Sequence, residues 1–195
     1  MKDKIILASA SPRRKELLEQ IGLEFQVIPS CAAEDILPDE SPEELVVRLS
    51  IDKAREVANR DGIDGRWFIG SDTIVVRDNQ ILGKPRNQTH AAEMLRQLSG
   101  QEHQVISGYA ILDRHNNKQS VGAVTTKVWF RCLKDDEIKR YIATGEPMDK
   151  AGAYAIQGLG VSFVARIDGS YTNVVGLPLC RLTLALKQMH IPLVI

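Results

Sequence analysis

Three features are scarce in this 195-residue sequence, and each absence excludes a class of protein. There is no net charge, since 25 basic residues balance 25 acidic ones, whereas proteins that bind long nucleic acid usually carry a basic excess. The three cysteines are widely spaced and form no CxxC pair, which argues against a disulfide framework and a cysteine-based zinc site. No apolar run approaches a membrane span or a signal-peptide core. We therefore expect a soluble, cytoplasmic protein with no nucleic-acid or membrane partner.

Several familiar catalytic motifs are also absent. The sequence contains no GxxxxGK[ST] phosphate loop, no Rossmann fingerprint and no GxSxG nucleophile elbow. The four histidines show no metal-ligand spacing. Any polyanion that binds is expected to be small, and the positive charge that meets it is expected to be local.

Apolar patterning predicts a mixture of strands and helices. Ser41, Pro42 and Glu44 form a capping box that starts a helix, and Asp78-Asn79 forms a turn that joins two predicted strands in a hairpin. The pattern indicates an α/β fold with a mixed, partly antiparallel sheet and flanking helices, in one domain over residues 1–195. The predicted strands are residues 4–8, 24–29, 67–76, 80–84, 104–112 and 119–131. One predicted helix begins at Pro12 and stops at Gly22, and four others span residues 42–59, 89–98, 134–143 and 177–189. Residues 145–176 are predicted to be loop-rich.

The turn at residues 9–14, Ser-Ala-Ser-Pro-Arg-Arg, is the first candidate site. A strand ends there and a helix begins, so free backbone N–H groups and the positive helix end are available to an anion. Ser9 and Arg14 are candidate phosphate ligands, because arginine suits bidentate phosphate binding. The alternative is an ordinary helix start followed by exposed arginines.

Two charged residues occupy positions that otherwise look buried. Asp72 lies within a predicted central strand, where a carboxylate is costly unless it is paired, hydrogen-bonded or metal-bound. It is therefore a candidate general base or metal ligand, or else a structural acid. Lys53 interrupts an apolar helix stripe, so it either snorkels to solvent or points into a polar cleft to meet an anion.

Weaker signals surround these two. Lys84 precedes Pro85 at a predicted strand end and is a further candidate phosphate ligand. Glu34, with Asp35 and Asp72, could hold a divalent cation, Mg²⁺ or Mn²⁺, since Mg²⁺ takes one or two carboxylates plus substrate phosphates. Gln157 has a side-chain amide that could read the edge of a base.

Seven ordered motifs together resemble the Maf family of nucleotide pyrophosphatases, and the resemblance covers essentially the whole chain. The motifs are LASASPRR (7–14), VRLS with KA (47–50 and 53–54), GSDTIV (70–75), LGKP (82–85), LSGQEH (98–103), KAGAYAIQG (150–158) and GSYTNVVGLP (169–178).

The resemblance implies a Maf/ITPase-like fold with two lobes around a central cleft. It also implies a divalent-cation-dependent hydrolase that converts a nucleoside triphosphate to the monophosphate and pyrophosphate. The family assigns its strand aspartate, here Asp72, as the proton acceptor. Arg13, Thr73 and Gln157 match the three positions typical of the subfamily that hydrolyses dTTP and UTP.

Two other function classes remain open at this point. One is a nucleotide-binding regulatory protein that acts in cell division or septum formation without turnover. The other is a nucleic-acid-binding module, which the zero net charge disfavours. A homodimer is left open, because nothing in the sequence determines the oligomeric state.

Overall fold

The computed structural model describes residues 3–194. The chain divides into two compact units. The first contains the residues up to Asp72, Ser107–Val124 and the residues from Gly176 onward; the second contains Thr73–Ile106 and Thr125–Val175. Each unit therefore combines segments that are distant in the sequence.

The strands form a mixed sheet, as predicted. The strands are β1 (Ile5–Leu7), β2 (Gln26–Val27), β3 (Trp67–Arg77), β4 (Gln80–Leu82), β5 (Glu102–Asp113), β6 (Lys118–Phe130) and β7 (Val164–Asp168). The strand order in the sheet is β2-β1-β3-β5-β6-β7, and β4 pairs with β3. Strand β1 is parallel to both β2 and β3, whereas β3–β4 and β6–β7 are antiparallel.

The predicted helices are present and begin and end close to the predicted positions, whereas the short helix Tyr171–Val175 lies in the segment predicted to be loop-rich. The capping box of α2 (Pro42–Ala58) is present, because Ser41 Oγ accepts the Glu44 N–H and the Glu44 carboxylate accepts the Ser41 N–H. The helices are α1 (Pro12–Gln20), α2 (Pro42–Ala58), α3 (Gln88–Leu98), α4 (Asp135–Ala143), α5 (Tyr171–Val175) and α6 (Leu179–Gln188), with 3₁₀ turns at Glu146–Asp149, Ala151–Ala153 and Leu159–Phe163. None of the helices within residues 3–194 is long and apolar enough to cross a membrane.

Helix α2 lies unusually close to the sheet in the first unit. A Cβ at Gly70 of β3 would lie 2.0 Å from the Ser50 carbonyl oxygen, and one at Gly108 of β5 would lie 2.2 Å from that of Val46. Both distances are far inside van der Waals contact. Glycine at these two positions therefore lets the helix backbone approach the strands and brings Ser50 against β3.

The second unit has its own apolar core, which includes Val75, Leu95, Phe130, Tyr141 and Phe163. The β3–β4 hairpin turns through Asp78 and Asn79, whose φ values of 48° and 60° are the left-handed values that a two-residue hairpin turn requires. This confirms the predicted turn.

Three expectations about local structure were wrong in part. The strand predicted at 24–29 is reduced to Gln26–Val27. The segment 145–176, predicted to be loop-rich, contains the strand Val164–Asp168, and most residues of that strand are exposed. Strand β4 ends at Leu82, so Lys84 lies in the following loop and not at the end of the strand.

Candidate active site

The turn between β1 and α1 holds its polar groups by local hydrogen bonds. Ser9 is 6% exposed, and its Oγ accepts the Ser11 N–H at 3.2 Å and an Arg14 Nη1–H at 3.2 Å. Arg14 Nε donates to the Gly176 carbonyl oxygen at 2.8 Å. The guanidinium of Arg14 is therefore held in place by the fold and does not extend freely into solvent, as an ordinary exposed arginine would.

Lys53 does not snorkel to solvent. It is 8% exposed, and its neighbours on the same helical stripe, Val46, Leu49, Ser50 and Val57, are buried as well. Its Nζ lies 2.5 Å from Asp72 Oδ1 and 2.6 Å from Glu34 Oε1. The anions that meet the lysine in this structure are thus two carboxylates.

Asp72 is held at both its side chain and its backbone. The carboxylate, of which 11% is exposed, pairs with Lys53. The Asp72 N–H donates to Ser50 Oγ at 3.0 Å, and that hydroxyl donates to the Val46 carbonyl oxygen at 2.5 Å. The preceding residue, Ser71, is fully buried and donates to the Gly108 carbonyl oxygen at 2.7 Å. These bonds fix the direction in which the carboxylate points.

The charges in this part of the first unit act on one another. Burial lowers the pKa of Arg14, and the nearby charges of Asp72 and Glu34 oppose that effect while Arg13 adds to it. Arginine remains charged at physiological pH even with a lowered pKa. The first unit therefore places three cations, Arg13, Arg14 and Lys53, near the two carboxylates.

The carboxylates suit a divalent cation only in part. Glu34 and Asp72 converge on the single Lys53 ammonium, so both can approach one point. Among residues 3–194, no group of three or more histidine, cysteine, aspartate or glutamate side chains could hold a metal. Two carboxylates with the remaining ligands from phosphate and water is the set that Mg²⁺ commonly takes. The residues therefore fit a cation that is bound together with a triphosphate.

Three of the predicted site residues belong to the second unit. Thr73 follows Asp72 along β3 and is half-buried, Lys84 is exposed, and Gln157 is half-buried. Their roles stay predictions. Gln157 lies between Ala155 and Leu159, whose backbone N–H groups are bound to Tyr141 and Glu146 respectively.

Neither Ser50 nor Glu146 was predicted as a functional residue. Ser50 lies on the same helical stripe as Lys53, and its contact with Asp72 depends on tertiary packing. A cavity of about 1310 Å³ also lies in the first unit, lined by residues that include Lys4, Phe25, Arg66, Trp67 and His190. None of the predicted site residues of the first unit lines this cavity.

The fold and these contacts define a class. This is an α/β protein whose first unit pairs a buried carboxylate, Asp72, and an exposed one, Glu34, with a single lysine beside arginine side chains. That is the composition of a site for a small polyanion. Residues 4–189 match the Maf family, described as Maf-like protein. The chain therefore belongs to the Maf family, as the motifs predicted.

Named relatives agree with this assignment over nearly the full length. A dTTP/UTP pyrophosphatase of Syntrophotalea carbinolica is 60% identical over 185 residues, which cover 95% of this chain and 84% of that protein. A dTTP/UTP pyrophosphatase of Geobacter metallireducens is 55% identical, covering 95% and 96%. One of Alkaliphilus metalliredigens is 48% identical, covering 98% and 99%.

Proposed function

We propose that this protein hydrolyses dTTP and UTP to the nucleoside monophosphate and pyrophosphate. The observation that carries the proposal is the buried Lys53–Asp72 ion pair, with Glu34 on the same ammonium and Arg14 close by. The names of the relatives support the choice of substrates, since all three are dTTP/UTP pyrophosphatases.

The basic residues bind the triphosphate in this proposal. Arg13, Arg14, Lys53 and Lys84 neutralise its charge, and Ser9 holds Arg14 in position through the 3.2 Å hydrogen bond. Charge that develops on the departing pyrophosphate is stabilised by cations that the fold has already oriented, which lowers the barrier without reorganisation.

Asp72 orients or deprotonates the water that attacks the α-phosphorus. The Lys53 ammonium lies 2.5 Å from Asp72 Oδ1 and holds the carboxylate that accepts the proton in this proposal. When the bond between the α- and β-phosphoryl groups breaks, the electron pair leaves with pyrophosphate and the water oxygen stays on the monophosphate. The same carboxylate could act as a metal ligand instead, as its convergence with Glu34 allows.

A divalent cation, Mg²⁺ or Mn²⁺, belongs to the proposal, and Asp72 and Glu34 are the residues that would hold it. When bound, it supplies charge neutralisation at the phosphate oxygens. The chain's own residues position those oxygens whether or not the cation is present, because Arg14 is fixed by Ser9 and by the Gly176 carbonyl.

Selection of the base falls to Arg13, Thr73 and Gln157 in this proposal. The amide of Gln157 can donate and accept at once, and the uracil and thymine edges present an N–H donor beside carbonyl acceptors. A cytosine edge presents a different pattern at the same positions. A glutamine fixed in one orientation can therefore distinguish the two.

The three cysteines are consistent with the cytoplasm, which we propose as the location. Cys31, Cys132 and Cys180 are all exposed and free, and free thiols persist in a reducing compartment.

A panel of triphosphates tests the proposed reaction. The full chain is incubated with Mg²⁺ and with dTTP, UTP, CTP, dATP or GTP, and the phosphate products are separated. We expect monophosphate and pyrophosphate in equal amounts, fastest from dTTP and UTP. In ¹⁸O-labelled water the label is expected in the monophosphate. Release of orthophosphate, or no turnover of any triphosphate, would contradict the proposal.

A further inference from the structure

The segment that carries Gln157 is fastened on both sides within the second unit. On one side, the Ala155 N–H donates to the Tyr141 hydroxyl at 3.2 Å. On the other side, the N–H groups of Leu159 and Gly160 donate to the Glu146 carboxylate at 3.0 and 3.1 Å. Gln157 itself is half-buried between these two attachments.

Glu146 is at the centre of this arrangement. Its Oε2 accepts from Leu159, and its Oε1 accepts from both Gly160 and the Tyr141 hydroxyl, the latter at 2.8 Å. Burial alone would raise the pKa of this carboxyl, but the donors from Leu159, Gly160 and Tyr141 outweigh burial and lower it. The group is therefore an ionised acceptor around which the backbone folds.

Gly158 allows the backbone to come this close. A Cβ on Gly158 would lie 2.6 and 2.7 Å from the two carboxylate oxygens of Glu146, and the residue has a φ of 147°. A side chain would clash with the carboxylate, and it would also strain the backbone. The absence of a side chain directly after Gln157 therefore leaves room for the Glu146 carboxylate.

Tyr141 links the two attachments. Its hydroxyl donates to Glu146 and accepts from Ala155, so one side chain of α4 joins the backbone before Gln157 to the carboxylate that holds the backbone after it. The side chain is 4% exposed, and its ring packs edge-on against Phe163 at a centroid distance of 4.9 Å. Tyr141 cannot move without disturbing the core of the unit.

A second buried cluster holds the start of the segment. The Tyr154 hydroxyl lies 2.8 Å from His103 Nε2, and both rings pack edge-on against Phe130. The backbone from Tyr154 to Gly160 is therefore attached at four residues, and Gln157 is the polar side chain that it presents.

We propose that Glu146, acting through Tyr141 and the backbone at 158–160, is a positioning residue that orients the Gln157 amide for base selection. The inference rests on the proposed function, because it assumes that Gln157 recognises the pyrimidine base of the substrate. A rigid attachment fixes the backbone from which the Gln157 side chain extends, and it therefore lowers the cost of ordering the amide against the base on binding.

The variant Glu146→Gln changes the acceptor with little change in shape. A carboxylate accepts on both oxygens, whereas an amide accepts on one and presents an NH₂ group to backbone N–H donors. One of the two hydrogen bonds from the Leu159 and Gly160 N–H groups is then lost. In its place the amide NH₂ group faces a backbone N–H, so that two donors oppose each other. The backbone after Gln157 is expected to separate from the 3₁₀ turn that carries residue 146.

The matched control is Glu137→Gln on α4, the helix that carries Tyr141. Glu137 also accepts a backbone N–H, that of Lys134 at 2.9 Å, and pairs with Arg131 at 2.7 Å. The change likewise replaces a carboxylate that accepts a backbone N–H in the second unit, without touching the attachments of Gln157. The pair of variants separates a loss of stability from a loss of orientation.

The experiment measures kcat/KM for UTP and for CTP, with thermal melting of each variant. For Glu146→Gln we expect the UTP-to-CTP ratio to fall about tenfold or more, the loss that about 1.4 kcal/mol of orienting hydrogen bonds would produce. The loss should come mainly from a higher KM for UTP, with kcat at saturation changed by less than about threefold. Glu137→Gln should keep the wild-type ratio. Tyr141→Phe, which keeps the packed ring, should lower the ratio in the same direction.

Gln157→Ala separates the possible failures. If it lowers the ratio and neither Glu146→Gln nor Tyr141→Phe does, the positioning role is wrong and base reading by Gln157 stands. If Gln157→Ala leaves the ratio unchanged, base reading by this residue is wrong and the positioning role falls with it. If Glu146→Gln does not fold, Tyr141→Phe alone decides, because an unchanged ratio in that variant overturns the inference.

Discussion

Replacement of Lys53 by methionine is expected to destabilise the protein strongly. Methionine has a similar length and fits the apolar stripe of α2, but it removes the ammonium that lies 2.5 Å from Asp72 Oδ1. Only 11% of the Asp72 side chain is exposed, so the remaining carboxylate is left buried without its nearest countercharge.

The magnitude follows from the burial of the two partners. Loss of one member of a buried ion pair costs about 3–5 kcal/mol, whereas the contact with Glu34, whose side chain is 51% exposed, contributes about 0–1 kcal/mol. The nearby charge of Arg14 compensates Asp72 in part. We therefore expect about 3 kcal/mol, which for a chain of this length is a fall in melting temperature of about 6–12 °C.

The control is Lys4→Met. Its ammonium lies at a comparable distance, 2.6 Å, from Asp64, but the two side chains are 56% and 79% exposed. That change should cost less than about 1 kcal/mol. Addition of Asp72→Asn to Lys53→Met should recover part of the lost stability, because the uncompensated charge is removed. Equal melting temperatures for the Lys53 and Lys4 variants would refute this reasoning.

Two further predictions concern buried polar groups, Ser50 and His103. Ser50→Ala leaves the buried Asp72 N–H without the hydroxyl that accepts it at 3.0 Å, so we expect a loss of about 1–3 kcal/mol and a lower kcat with little change in KM; an unchanged kcat would show that Ser50 does not position Asp72. Burial, with a smaller effect from Arg77, lowers the pKa of His103 from 6.5 to about 3. Unfolded protein then takes up a proton below pH 6.5 that folded protein does not, so stability is complete above that pH and falls as the pH drops toward 3. Denaturant titrations from pH 7 to pH 4 should show this loss, and it should be smaller in His103→Gln.

Much of the fold could be predicted because its signals are local. The capping box at Ser41 and the turn at Asp78 and Asn79 depend on residues within four positions of one another, and both are present. Strand β7 was missed for a physical reason. It pairs with β6 alone, and most of its side chains are exposed, so it lacks the apolar alternation by which buried strands are recognised.

The candidate site was predictable only as separate parts. A lysine within an apolar stripe and an aspartate within a buried strand each needed a partner, but their positions in the sequence do not say that they pair with each other. The pairing depends on the close approach of α2 to β3, which Gly70 and Gly108 permit. Glu146 gave no signal at all, because its partners are backbone groups 13 and 14 residues away.

The most direct test of the central claim is pyrophosphate release by Asp72→Asn. Wild-type and variant enzyme, both shown to be folded by melting, are compared with saturating dTTP and UTP in the presence of Mg²⁺. A water-activating or cation-holding carboxylate typically contributes at least about 100-fold, so we expect the rate of the variant to fall by that factor or more with both substrates. A variant that releases pyrophosphate at close to the wild-type rate would contradict the account.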